Sequence, residues 1–237
     1  MEAKMVMLSV LVSLLPLVLF LVWQFSRRQL LSWPLTLIFL GAGVATAPLS
    51  AYLGTFLDPY LPHLGLKQTG GVIMVPDAKA LWLHALIGIG PLEEFVKFLP
   101  VLIYLILGKM DRRVVFFGMV LSAIGFATAE SVYAATVMSS FGVAVARAFT
   151  STPLHMGLGV LGGWLLLRGL QYQRSWPISA LMILVIPGLW HGMTDGFLLG
   201  QMNFRPFGLL AMLITVIGGL ILIRKIANHL REEENRL

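Results

Sequence analysis

The 237-residue chain contains no cysteine, which excludes disulfides, thiolate nucleophiles and cysteine-held metals. It has no HExxH run either, so two histidines on one helix turn cannot form a metalloprotease centre of that kind. Charge is scarce. Asp, Glu, Lys and Arg make up 12% of the residues, about half the roughly 25% of a soluble domain. No polar segment is long enough to fold alone, and no internal repeat or low-complexity tract stands out. What the chain has in quantity is apolar sequence: 58% hydrophobic residues and a mean hydropathy of +0.87. It is arranged in runs of about twenty residues or more, the length that crosses roughly 30 Å of hydrocarbon as helix. The alternating pattern of a transmembrane barrel is absent, and helix is the other structure that satisfies its own backbone in lipid. The fold class expected is an all-α polytopic membrane bundle, a single transmembrane domain over residues 1–237.

Seven apolar runs are predicted to span, near 5–25, 30–52, 80–107, 114–137, 143–167, 177–199 and 206–226. The first is too long for a signal-peptide core and lacks a convincing cleavage site, so it reads as a retained helix. The Pro- and Gly-rich 53–79 segment reads as an extracytoplasmic loop with room for one more membrane segment. Residues 227–237 read as a cytoplasmic tail continuing the last helix. Alternating the loops from Arg27-Arg28 inside gives eleven basic residues on the inner side and four (Lys4, Lys67, Lys79 and Arg205) on the outer. That bias predicts the N-terminus outside and the C-terminus in the cytoplasm. It also accounts for the net charge of +6 without a nucleic-acid partner.

The remaining basic residues, Lys97 and Arg147, fall inside predicted spans together with Glu93, Glu94, Glu130, His155, His191 and Asp195. Each charge at mid-membrane costs about 2.5–3.5 kcal/mol even on the lenient insertion scale, so intramembrane ionisable groups mark function. Counted from the cytoplasmic turns, Glu93, Glu130, His155 and His191 lie about 17 to 19 residues up their helices, a spread of about 5 Å in height or less. Four antiparallel helices can therefore bring them to one depth, displaced toward the outer face. Glu130 and Arg147 lie symmetrically about the 138–142 turn and are predicted to form an ion pair. Glu93 and Lys97 are four apart on one helix face, as are His191 and Asp195. Pro91, Pro153 and Pro187 each lie within about a turn of a polar residue, where a broken helix can line a cavity. Gly159-x3-Gly163 predicts a close helix contact. His84 reads as an interfacial or packing histidine, and His63 and His229 as solvated ones.

Four of these groupings resemble the PrsW family of intramembrane proteases, within the wider group that includes the CPBP and CAAX-processing proteases. They are Glu93-Glu94-x2-Lys97 followed by Pro100, Phe126-x3-Glu130, His155 with Gly159, and His191-x3-Asp195, in order through residues 90–196. Any one is a weak signal; four in order, each inside a predicted span, are specific. The first two helices and the last carry no signature, and the motif-bearing core is about 80–200. The resemblance implies hydrolysis of a peptide bond in a membrane-tethered, single-span protein such as an anti-sigma factor, in a prokaryotic inner membrane. The outward displacement of the polar layer places the cut near the extracytoplasmic juxtamembrane end.

The residues support that chemistry. Amide hydrolysis needs an activated water and stabilisation of a tetrahedral oxyanion. Adjacent carboxylates in a low dielectric resist ionising together, so Glu93 or Glu94 is the candidate base, with Lys97 holding the other. His191, oriented by Asp195, and His155 are the candidates for polarising the carbonyl or sharing proton transfer. A divalent metal such as zinc is the other mechanism, with Glu93, Glu130, His155, His191 and Asp195 as candidate ligands. Four buried acids against two buried bases leave a net charge of −2, which a divalent ion, two imidazolium groups or protonated carboxyls can equally balance. Two other classes remain open: a proton- or ion-coupled transporter, against which the absence of paired halves argues, and a non-catalytic membrane scaffold subunit.

Overall fold

The computed structural model describes residues 3–26, 31–61, 67–69, 72–74, 77–137, 141–171, 176–199 and 205–234. Helix α1 covers Ala3–Ser26 and α2 Trp33–Leu57; a 3-10 turn, Asp58–Tyr60, follows. Strands β1 (Lys67–Thr69) and β2 (Val72–Met74) pair antiparallel, with Gln68 opposite Ile73. Then come α3 (Ala78–Leu83), a π-helical turn (His84–Ile89) and α4 (Gly90–Ile106), running directly into one another. Beyond them are α5 (Arg112–Val137), α6 (Phe141–Phe149), α7 (Ser151–Gln171), α8 (Trp176–Leu199) and α9 (Arg205–Glu234).

The chain is a multi-pass membrane protein. Four of its helices, at Trp33–Leu57, Arg112–Val137, Pro177–Leu198 and Arg205–Leu230, are long and apolar enough to cross a membrane, and α1 contains a shorter apolar stretch, Met7–Trp23. The helical stretches follow the seven predicted apolar runs in order. The 53–79 segment holds no further membrane-length helix among its described residues. The last helix continues well past residue 226, into the polar tail.

Two predicted helices are interrupted, and proline explains both. The run predicted as one helix over 143–167 is divided at Thr150 into α6 and α7. Pro153 has no N–H to donate to the Phe149 carbonyl four residues back, and the break falls there. In the run predicted over 80–107, Pro91 cannot bond the Ile87 carbonyl, and the preceding turn widens. The Gly90 N–H reaches back five residues to the Ala85 carbonyl, the π pattern. Elsewhere the ends are conventional. Asp77 Oδ1 caps α3 by accepting from the Lys79 and Ala80 amides at 2.8 and 3.2 Å. Asp111 does the same for α5 through Arg113 and Val114. Gly108, at φ +73°, ends α4: its N–H reaches the Leu105 carbonyl and that of Lys109 reaches Tyr104, the Schellman arrangement that favours glycine.

Helix α5 is the axis of the bundle. In its most apolar stretch 89% of residues are buried, against 22% in α2 and α9, so α2 and α9 present their outer faces to lipid while α5 meets protein all round. It packs on α7, α2, α1 and α4, and α8 lies against α4, the π-turn, α7 and α9. The α5–α7 contact uses the predicted glycine pair: a Cβ on Gly159 would stand 2.6 Å from that of Ala123, and one on Gly163 2.9 Å from the Phe116 ring. The core is aliphatic and phenylalanine-rich, centred on Phe98, Phe116, Phe117, Met119, Leu121 and Ile124. The polar cluster lies on the other side of α5's midpoint.

Candidate active site

A contact that sequence reasoning missed brings α8 onto α4. Gly188, Gly192 and Gly196 repeat at four-residue intervals along one face of α8, a signal open to the same small-residue reading that found Gly159 and Gly163. A Cβ on Gly188 would lie 2.9 Å from Pro91 Cα, one on Gly192 would strike the Ala85 carbonyl, and one on Gly196 would press into the Trp82 ring. On the facing element a Cβ at Gly90 would strike the Gly188 carbonyl. The two backbones touch here. Glu94, one turn beyond Gly90, is thereby carried against His191, the residue before Gly192.

The resulting network runs across five helices, α4 to α8. Glu94 is fully buried, and its Oε1 accepts from Lys97 Nζ at 2.6 Å and from His191 Nδ1 at 3.0 Å. Lys97, also fully buried, donates to His155 Nδ1 at 2.7 Å. That contact leaves the His155 proton on Nε2, which donates to Glu130 Oε2 at 3.0 Å. The same oxygen takes Arg147 at 2.7 Å, the ion pair predicted about the 138–142 turn, and Arg147 also donates to Ser151 Oγ at 2.9 Å. Phe126 closes one side: Lys97 Nζ is 4.7 Å from its ring centre, and the His155 ring meets it edge-on at 5.5 Å. The phenylalanine of Phe126-x3-Glu130 is thus a cation–π wall for the buried lysine. From α5 as well, Ser122 Oγ donates to the Lys97 carbonyl at 2.8 Å, a link with no distinguishing signal in sequence.

Glu93 is placed differently from its neighbour. Its Oε2 is 3.8 Å from His191 Nε2 and 3.9 Å from Lys97 Nζ, and it has no hydrogen-bond partner. Asp195 Oδ2 lies 3.4 Å from His191 Nε2, so Glu94, on the other ring nitrogen, is the closest of the three acids around that imidazole. The His155 and His191 rings stand nearly perpendicular at 4.8 Å. His84, off the cluster, is buried with Nδ1 3.1 Å from the Ala80 carbonyl; His63 lies outside the described residues. A cavity of about 510 Å³ opens beside Glu93 and Glu130, between α2, the π-turn, α4 and α5. A larger one, about 640 Å³, lies between α1, α7 and α9 and is lined by none of the ionisable groups of the cluster.

The donors suit a divalent cation. One ligand atom each from Glu93, His155 and His191 fall within 4.8 Å of one another, and a carboxylate with two imidazoles matches an open tetrahedral zinc site. Glu93 Oε2 is buried without a partner, and His191 has its Nδ1 on a carboxylate, the support that metal-bound histidines ordinarily have. His155 uses both ring nitrogens, on Lys97 and Glu130, so joining a cation requires it to exchange one of those bonds.

The bundle gathers carboxylates, imidazoles and a buried cation beside a cavity, the kinds of group that hydrolysis within a membrane requires. The chain belongs to the PrsW family of intramembrane metalloproteases, whose description matches residues 29–220. It is therefore an intramembrane protease. No curated protein and no solved structure matches it.

Proposed function

We propose that the protein hydrolyses a peptide bond within a single-span, membrane-tethered substrate of the anti-sigma-factor kind, with Glu93 as the proton acceptor. The observation that carries this reading is the division of labour between adjacent glutamates. Glu94 is fully buried, with Oε1 held by both Lys97 and His191 and Oε2 without a partner, whereas Glu93 lines the cavity, is 14% exposed and has neither Lys97 nor His191 within hydrogen-bond distance. Glu94 then positions Lys97 and His191, and Glu93 is left to act.

In this mechanism Glu93 takes a proton from water as the water oxygen bonds to the scissile carbonyl carbon. It returns that proton to the amide nitrogen as the C–N bond breaks, giving a carboxylic acid and an amine. His191, anchored through Nδ1 on Glu94 and flanked by Asp195, presents Nε2 toward the reacting water. His155 and Arg147, both on Glu130, bring positive character to the side where the oxyanion develops. Glu93, through one carboxylate oxygen and with the other left to take the proton, would hold a cation such as zinc together with His155 and His191, with Asp195 and Glu130 beside them. When bound, such an ion supplies Lewis-acid polarisation of the carbonyl and a more acidic water. On this reading the enzyme resides in a prokaryotic inner membrane with seven spans, the N-terminus outside and the C-terminus in the cytoplasm, which the bias of basic residues supports. The site then lies in the outer half of the bilayer, and cleavage falls near the substrate's extracytoplasmic juxtamembrane end.

The test is cleavage of a tagged single-span substrate library by detergent-purified protein, comparing wild type with Glu93→Gln, Glu94→Gln and His191→Ala, each with and without chelator. The expected result is cleavage by wild type alone, abolished by chelation. Equal cleavage by Glu93→Gln would overturn the assignment of the base. Chelator-resistant cleavage would remove the metal from the mechanism.

A further inference from the structure

The cavity beside Glu93 is lined by residues of the π-turn, α4 and α5 and by residues of α2. Ala47, Ala51 and Gly54 recur at helical spacing on one face of α2 and line it, opposite Gly88 and Ala129. Such a wall leaves a largely apolar volume beside Glu93. A substrate helix cannot be cut as a helix, because each carbonyl is hydrogen-bonded along the axis and its carbon is shielded by side chains. The reacting stretch has to be extended, and in an extended chain alternate side chains point to opposite sides. With the scissile carbonyl at Glu93, a side chain next to it has to enter this space.

We propose that this cavity receives the apolar side chain flanking the substrate's scissile bond, and that Gly54 sets the size it admits. The proposal rests on the protease reading above and adds to it a specificity determinant. Gly54 is the informative position because it lines the cavity and a Cβ built there meets nothing within 4 Å, so a larger side chain has room beside the cavity without disturbing the protein's own packing. Gly88 on the facing turn is unsuitable, since its Cβ would stand 2.9 Å from Leu61 Cδ1. Gly41, on the same helix, also has nothing within 4 Å but is not part of the lining, and so serves as the control.

The experiment uses full-length protein and paired single-span substrates that differ only in Ala or Phe beside the scissile bond. Wild type is expected to cleave both. Gly54→Leu should lower kcat/KM for the Phe substrate relative to the Ala substrate by about 10-fold or more, the scale on which an apolar pocket discriminates by size, while Gly41→Leu keeps the wild-type ratio. A second readout does not need turnover. The chain has no cysteine, so Gly54→Cys in a Glu93→Gln background supplies a unique thiol for a short bis-maleimide and a cysteine scan of the substrate. Cross-linking is expected to peak at the residue flanking the cleaved bond. An unchanged Phe-to-Ala ratio in Gly54→Leu, or a cross-linking maximum elsewhere along the substrate, overturns the proposal. Absence of any cleavage by wild type overturns the protease mechanism instead, and the cross-linking map still tests occupancy of the cavity.

Discussion

Replacing Glu93 or Glu94 by alanine removes the same carboxylate from adjacent positions, yet the two variants should fail in different ways. Glu94 is the 2.6 Å partner of Lys97, both are fully buried, and the same oxygen holds His191 at 3.0 Å. Without it the ammonium keeps the neutral His155 Nδ1 at 2.7 Å, and the nearest carboxylate left to it is Glu93 at 3.9 Å. Breaking a buried pair by removing one member costs about 3–5 kcal/mol, and at roughly 2–4 °C per kcal/mol for a chain of this size the Tm should fall by about 6–20 °C. Glu93 is 14% exposed, makes no hydrogen bond and stands at ion-pair limits from its neighbours. Its removal also relieves the crowding of negative charge by Glu130 and Asp195, so Glu93→Ala should unfold within about 1 kcal/mol of wild type. Both should be inactive. The assay is thermal unfolding of the two detergent-purified variants beside wild type, with substrate cleavage at a temperature where all are folded. Equal destabilisation, or cleavage retained by Glu93→Ala, would refute the division between a positioning and an acting glutamate.

Further outcomes follow from the packing and the donor set. Gly192→Ala puts a methyl on the Ala85 carbonyl, where backbone cannot yield, and should cost about 1–3 kcal/mol. Because it also shifts α8 against Glu94, cleavage should drop about 100-fold, as for a displacement of about 1 Å at a reacting group; a variant with wild-type Tm and activity would contradict the contact. Metal analysis of the purified chain should find about one divalent ion per molecule, lost in His191→Ala, with zinc restoring cleavage after chelation; a metal-free active preparation would exclude this. Arg147→Ala breaks a pair that is 24% and 31% exposed, so its stability cost should stay near 1 kcal/mol or less. The larger effect should be on kcat, since Glu130 loses one of its two anchors, and an unchanged kcat would place Arg147 outside the reaction.

Much of this arrangement is legible in the sequence because lipid makes ionisable groups expensive. Glu93, Glu130, His155 and His191 could be assigned to one layer from residue counts alone, and the Glu130–Arg147 pair from symmetry about a turn. Which glutamate holds Lys97 and His191 was not legible. Lys97 is four residues from Glu93 and three from Glu94, both spacings allow contact, and the choice depends on His155 and Phe126 arriving from other helices. The breaks at Thr150 and at the π-turn were foreshadowed by Pro153 and Pro91, but spacing does not say whether a proline bends a helix or divides it; Pro187 lies inside an uninterrupted α8. The glycine repeat on α8 was open to reading and was passed over in favour of its polar neighbours.

That repeat has a consequence for how the enzyme meets membranes of different thickness. His191 and Asp195 each precede a glycine that lies against the π-turn or α3, so the reactive groups and the helix contact share one stretch of backbone. Sliding α8 along its axis cannot occur without separating touching main chains. A thicker or thinner bilayer is instead accommodated by tilt of lipid-facing elements such as α2 and α9. The depth of the hydrolytic centre is therefore a property of the protein's own interior, and the surrounding lipid acts mainly on the angle of the wall past which a substrate must come.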